Sequence, residues 1–180
     1  MCHHFHLSLQ SGSTDTLIRM NRRYTAEEFE EVTKRLRKAY SDVILTTDII
    51  VGFPGETDEE FEETFNFLKK IKFFKMHVFK YSIRNGTKAA TMPNQVPGDI
   101  KELRSKRLLA LSDENELEYI KNYIGKEVKV LFEEKDGEYY KGHTANYIML
   151  KVKSPIDITE QMLTVKIKNV QGLELEGDVN

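Results

Sequence analysis

Apolar and polar residues alternate from the first residues onward. Phe5, Leu7 and Leu9 interleave with His4, His6, Ser8 and Gln10, the period of a strand. A strand this close to the first residue, with nothing leading into it, is expected of a trimmed chain. Gln10-Ser11-Gly12-Ser13 reads as a turn, and a helix carrying Leu17 and Met20 follows, closed by Asn21-Arg22-Arg23-Tyr24. The period then changes. Thr25 and Glu28 form a capping box, in which the threonine oxygen accepts an orphan N–H and the glutamate reaches back, and Phe29, Val32 and Leu36 line one helical face. Residues 43–53 are a strand rich in β-branched residues and apolar on both sides of its second half, which predicts burial on both faces of a parallel sheet. Pro54-Gly55 breaks it. A second capping box, Thr57 with Glu60, opens a helix whose stripe is Phe61, Phe65 and Leu68, and residues 73–82 form a third strand.

Strand, helix, strand, helix, strand with short connections implies right-handed βα units. A long loop with Pro93 and Pro97 leads to a helix from Asp99 to about Ile124, with Gly125 as its stop. Beyond it the character changes to short strands near residues 128–132, 139–142, 147–152, 163–168 and 173–176, with Asp136-Gly137 as a hairpin signal. The predicted fold class is therefore α/β: a partial (βα) barrel of about three parallel strands over residues 1–124, then a small all-β barrel over 125–180.

Composition narrows the function classes. No apolar run approaches the roughly 20 residues of a membrane span, and the first residues lack a signal peptide. Cys2 is the only cysteine, so no internal disulfide forms, and a cytoplasmic setting is expected. The net charge is -2. From Gly125 onward eight lysines face ten acids, so any RNA contact must rest on a local patch.

Three rims carry candidate chemistry. Gly52, Phe53, Pro54, Gly55 and Glu56 end the second strand just before a capped helix. In βα barrels ligands sit at such C-terminal strand ends, glycines admit a flat ligand close to the backbone, and Glu56 would project near it; a sharp turn that merely requires Gly and Pro reads equally from these residues. Gln10, Ser11 and Ser13 at the end of the first strand suit a ribose or a carboxylate, or simply a polar βα turn. Arg84 belongs to the third rim, Tyr81 to Thr87. Arg19, Arg22 and Arg23 form a basic cluster, open also to reading as a solvated helix end. In the small barrel Tyr139, Tyr140 and Tyr147 interleave with Lys141, His143, Lys151 and Lys153, which is a kit for gripping RNA or ordinary strand alternation. His4 and His6 share a strand face but lack a third metal ligand, so no metal site is expected, and one thiol cannot hold an iron-sulfur cluster.

At these same residues the chain resembles the radical-SAM methylthiotransferase family. The resemblance is carried by His4 through Gly12, by Arg19-Met20-Asn21-Arg22-Arg23-Tyr24, by Asp48 through Thr57, by Tyr81-Ser82 with Arg84, Gly86 and Thr87, and by Gln95-Val96-Pro97 with Lys101 and Arg104, in the family's order. The last fifty-odd residues resemble a TRAM domain, the RNA-binding barrel that closes such enzymes. The resemblance implies a transferase that uses S-adenosylmethionine and two 4Fe-4S clusters to add a methylthio group to C2 of a modified adenosine next to the tRNA anticodon. The Phe5-to-Gly12 wording is nearest the branch acting on threonylcarbamoyladenosine; sister branches act on isopentenyladenosine in tRNA or on a ribosomal-protein aspartate. By the same resemblance Gln10, Ser11 and Gly52 to Glu56 face S-adenosylmethionine, while Arg19, Arg22, Arg23, Arg84, Tyr139, Lys141, Lys151 and Lys153 are candidates for RNA. The family's CxxxCxxC loop, auxiliary-cluster cysteines and first barrel strands are missing from this sequence. The chain alone is therefore expected to retain no cluster and to be inactive, or to act only as an RNA-binding module. The strand at Phe5 to Leu9 is expected to pair with a second copy through its free edge, giving a homodimer.

Overall fold

The computed structural model describes residues 3–179, so Cys2 lies outside the described residues. The elements run β1 (His4–His6), α1 (Thr14–Arg19), α2 (Ala26–Ala39), β2 (Ile44–Val51), α3 (Asp58–Ile71), β3 (Lys75–Lys80), a short 3-10 turn (Lys88–Thr91), α4 (Gly98–Lys121) and five strands, β4 (Glu127–Asp136), β5 (Tyr139–Thr144), β6 (Met149–Lys153), β7 (Met162–Gln171) and β8 (Glu174–Val179). They form a three-stranded sheet, β1-β2-β3, and a closed barrel, β4-β5-β6-β8-β7. The α/β architecture of a partial barrel followed by a small β-barrel is thus the one the patterning predicts. The chain divides into two compact units, Phe5–Asn115 and a second one built on residues 116–179 with His3 and His4. No helix among the described residues is long and apolar enough to cross a membrane.

In the first unit β2 is the central strand and runs parallel to β3, with Thr46 opposite Lys75 and Val51 opposite Lys80. On its other side the chain leaving β1 continues the ladder: Leu7 and Gln10 donate to the carbonyls of Thr46 and Asp48 at 2.8 Å. Both capping boxes form as expected, each cap holding its helix start by about 1 kcal/mol. The buried stripe of α3 is Phe61, Thr64, Leu68 and Ile71. Phe61, Leu68 and Ile71 pack with Leu45, Ile49, Val51 and Met76 of the sheet, with Leu9 and Phe73 beside it, and with Leu108 and Leu111 of α4.

Two expectations are corrected. On α2 the inward position is Thr33, fully buried, whereas Val32 is 44% exposed; the helix turns its 29-33-36 face inward, and the threonine is accommodated because its hydroxyl donates to the Glu30 carbonyl at 2.7 Å. The second half of β2 is not buried on both faces: Asp48 and Ile50 are half-buried, because that face fronts a cavity.

The second unit is closed by main-chain pairing throughout. Antiparallel β4-β5, β5-β6, β4-β7 and β7-β8 ladders are completed by a parallel β6-β8 pair, which leaves no free sheet edge within the barrel. Inward residues at alternate positions fill it, among them Val130, Phe132, Tyr140, Leu150, Val152, Val165, Ile167 and Leu175. The β4-β5 turn sits one residue later than the Asp-Gly signal indicates. Asp136 is still paired, with Tyr139, and the two-residue loop is Gly137-Glu138.

Candidate functional site

The C-terminal ends of β2 and β3 and the loop after β1 surround a cavity of about 500 Å³ lined by Gln10, Asp48, Ile50, Phe53, Phe79, Lys80, Tyr81, Ser82, Arg84, Thr87 and Ala89. The fold thus brings together residues from all three predicted rims: Gln10 from the first strand end, Phe53 from the second, and Tyr81, Ser82, Arg84 and Thr87 from the third. Gln10 stands at φ 73, its carbonyl accepting from the Ile50 N–H at 2.9 Å. Phe53 meets Tyr81 edge-on, centroids 5.3 Å apart, and Phe79 is 53% exposed, so one wall is aromatic. Arg84 is exposed at the mouth.

Ser11, Gly52 and Glu56 serve the scaffold. Ser11 is fully buried; its Oγ lies 3.1 Å from Thr64 Oγ1, which also accepts from the Gly12 N–H at 3.1 Å, locking the first loop onto α3. Gly52 takes φ +71, a left-handed turn that a side chain would strain. This turn points the Gly52 N–H at the Glu56 carboxylate. Glu56 turns inward, its side chain 1% exposed, and pairs with Arg104 at 2.8 Å; the second arm of Arg104 reaches Asp58 Oδ1 at 2.7 Å. Burial pushes the Glu56 carboxyl up, against the opposing pull of the Gly52 N–H and of Arg104. Glu56 therefore fixes the shape of the rim rather than presenting a carboxylate to it.

Arg19 is likewise internal to the scaffold. Its guanidinium forks onto Glu60, with Nη1 donating to Oε1 at 2.8 Å, and Nη2 also donates to Thr16 at 3.0 Å. Arg22 and Arg23 remain exposed. For Glu60, burial acts to raise the carboxyl, but Arg19, the Thr57 N–H and Thr16 together hold it below its usual value. A depressed folded-state value contributes stability above the unfolded value, near ~4.3, and loses that contribution as pH falls through the folded one. Arg19→Gln is therefore expected to lower the melting temperature at pH 7 and to flatten its decline on acidification. Thermal melts from neutral pH to about pH 3, close below the unfolded carboxylate value, test this; parallel curves for the two proteins would contradict it.

Asp48, which lines the cavity, also belongs to a polar network. His6 Nε2 lies 3.1 Å from Asp48 Oδ2, Ser8 donates to the same oxygen at 3.1 Å, and His6 Nδ1 is 3.1 Å from Thr46 Oγ1. Patterning alone missed this cluster, since its members are forty residues apart and only the β1-β2 pairing joins them. Among the described residues no group of three His, Cys, Asp or Glu is placed to hold a metal ion.

In the barrel, cross-strand register sets Tyr139 opposite Lys153 and Lys141 opposite Lys151, so the predicted patch is contiguous. Both Lys151 and Lys153 lie 5.0 Å over the Tyr139 ring. Each lysine also meets a carboxylate: Lys141 with Asp136 at 2.7 Å, Lys151 with Glu174 at 3.2 Å, Lys153 with Glu138 at 2.8 Å. Lys141 is held above its usual value first by its hydrogen bond to Asp136, and Lys153 by its bond to Glu138.

A parallel sheet with a ligand-sized cavity at its C-terminal strand ends is the arrangement of a βα-barrel segment, and residues 1–68 match the family model described as the Radical SAM superfamily. Over 169 residues, 91% of this chain, it is 43% identical to threonylcarbamoyladenosine tRNA methylthiotransferase MtaB of Bacillus subtilis (strain 168). Over 181 aligned positions, 99% of the chain, it is 40% identical to tRNA-2-methylthio-N(6)-dimethylallyladenosine synthase of Caldicellulosiruptor saccharolyticus (strain ATCC 43494 / DSM 8903 / Tp8T 6331). The chain is thus similar over nearly its whole length to radical-SAM tRNA methylthiotransferases, and it spans 38% of the length of each of these two relatives.

Proposed function

We propose that this chain is the C-terminal segment of a radical-SAM tRNA methylthiotransferase, in which the unit Phe5–Asn115 holds S-adenosylmethionine and the small barrel contacts tRNA. The observation that carries the reading is the cavity at the ends of β2 and β3. Its volume suits a nucleoside with a polar arm. Phe53, Phe79 and Tyr81 offer aromatic surface to an adenine, and Gln10, Asp48 and Ser82 offer polar groups to the ribose and amino acid portions. When bound, S-adenosylmethionine supplies a methyl group and, on reductive cleavage, a radical. The residues here do not fit a 4Fe-4S cluster: Cys2 is the only cysteine, and a cluster takes several thiolates. The segment by itself is therefore inactive. The substrate branch favoured is threonylcarbamoyladenosine next to the anticodon, in line with the name of the relative at 43% identity.

Equilibrium dialysis of S-adenosylmethionine against the 180-residue chain tests the cofactor half. Saturable binding, displaced by S-adenosylhomocysteine and weakened about tenfold by Phe53→Ala, is expected, since loss of an aromatic contact with its buried area is worth on the order of 1–2 kcal/mol. A folded chain that binds neither compound overturns the assignment.

A further inference from the structure

The barrel's lysine patch is largely neutralised by its own carboxylates, yet the adjoining row of the same surface contains no lysine, arginine or carboxylate. Register sets Met149 of β6 opposite His143 of β5, His143 opposite Leu131 of β4, and Leu131 opposite Met162 of β7. Directly opposed residues share a sheet face, and here that face is outward: Leu131 is 41% and Met162 65% exposed. At the β5 end of this row stands Tyr147, 63% exposed. Its ring stacks on His143, centroids 4.5 Å apart and planes at 19°, and His4 brings a third ring to 6.0 Å from it at 22°. Glu133 meets Nδ1 of His143 and fixes that ring.

The backbone is arranged to hold Tyr147 outward. Its φ is +73, a strained conformation for a bulky residue and one that persists only when its surroundings impose it. They do so here. The Tyr147 N–H donates to the Thr144 carbonyl at 2.9 Å, the Ile148 N–H to Thr144 Oγ1 at 3.0 Å, Thr144 Oγ1 to Asn146 Oδ1 at 2.7 Å, and Asn146 Nδ2 to the Tyr123 hydroxyl at 2.8 Å. One cation flanks the row. Lys129, two residues before Leu131 on the same face of β4, is exposed and, unlike Lys141, Lys151 and Lys153, has no ion-pair partner among the described residues.

We infer that this ridge, led by Tyr147 and His143, is where an unpaired nucleobase of the RNA stacks, with Lys129 placed for the neighbouring phosphate. The inference rests on the tRNA reading above and relocates the contact from the paired lysines to the aromatic row. A base extends a ladder of parallel rings because every base has a π-face to offer. The apolar remainder of the ridge, Leu131 and Met162, has little to give a phosphate and is suited to the faces and edges of bases. Glu133 keeps phosphates off the His143 end and accepts from an exocyclic amino group.

The chain contains no tryptophan, so Tyr147→Trp installs a single reporter. Its emission is expected to be quenched on titration with a tRNA or with a short single-stranded oligoribonucleotide. By fluorescence anisotropy of labelled tRNA, Tyr147→Ala is expected to weaken binding roughly 5- to 150-fold with an unchanged salt slope, the range expected for losing one stacked base. Tyr147→Phe should stay within about twofold, because the ring and not the hydroxyl makes the stack. Lys129→Ala should reduce the slope of log affinity against log salt by roughly 0.7–0.9. Wild-type affinity in Tyr147→Ala, or unquenched emission at saturating RNA, overturns the ridge while leaving the tRNA reading intact. A wild-type chain that does not bind tRNA overturns both. Light scattering that shows a dimer dissolved by Tyr147→Ala, with tRNA affinity unchanged, assigns the ridge to a second copy and also overturns the inference.

Discussion

Replacing Arg104 by alanine is expected to destabilise the Phe5–Asn115 unit by about 3–5 kcal/mol, the usual consequence of leaving a buried charge without its partner. Arg104 and Glu56 have side chains 5% and 1% exposed, so truncation strands a carboxylate that is largely out of water. Arg104 also donates to the Glu56 carbonyl at 3.3 Å and reaches across to Asp58, tying the start of α3 to α4. Its guanidinium lies 5.3 Å over the Phe61 ring, so truncation also opens packing. Burial already pushes the Glu56 carboxyl up; without Arg104 it is expected to take up a proton rather than stay charged. The double variant Arg104→Met/Glu56→Gln should recover much of the loss, since neither member then leaves a charge behind. Urea unfolding followed by circular dichroism measures both. A loss below about 1 kcal/mol in Arg104→Ala, the range of an exposed pair, would show that this bridge is not the strut described.

Gly142→Ala is the second large effect, and it falls on the barrel. A Cβ at position 142 would lie well inside contact distance of the Leu131 carbonyl, with the Phe132 Cα at 2.8 Å. Both are backbone atoms of β4, the strand to which β5 is paired. Overpacking against side chains typically costs about 1–3 kcal/mol. Here no side chain can swing aside, and β4 cannot shift without opening its ladder with β7, so a loss at or above the top of that range is expected. Hydrogen exchange over residues 127–179 should collapse while the three-stranded sheet keeps its protection. Gly98→Ala is the control, since nothing lies within 4 Å of the added methyl; it should change stability by no more than about 1 kcal/mol. Equal effects at the two positions would rule out the steric account.

Much of the fold is legible from the chain because its signals are local. The Thr25/Glu28 and Thr57/Glu60 boxes need only four consecutive residues to satisfy their own orphan donors, and both form. The five short strands announce themselves by alternation and occur near their expected positions. The change from βα units to β-strands follows from the same patterning. The boundaries of such elements are less local, as the one-residue offset of the Gly137-Glu138 turn illustrates: it is set by where the β4-β5 ladder stops pairing.

The chemistry of the site divides differently. Gly52 to Glu56 stand out in the sequence as a strand end and Arg19 as a cation at a helix end, but whether such a group faces a ligand or a neighbour depends on what lies opposite. Arg104 is forty-eight residues from Glu56 and Glu60 forty-one from Arg19, and each pairing draws a charged group inward that local sequence would leave outside. The same holds for Val32 and Thr33, where helical period alone chose the wrong inward residue. Sequence by itself determined the elements, their order and the residue types available at each rim, because those follow from nearest neighbours along the chain. Only the tertiary structure decided which polar groups remain free for a ligand. A buried charge or amide must be matched by a partner, and here those partners are supplied by segments distant in sequence.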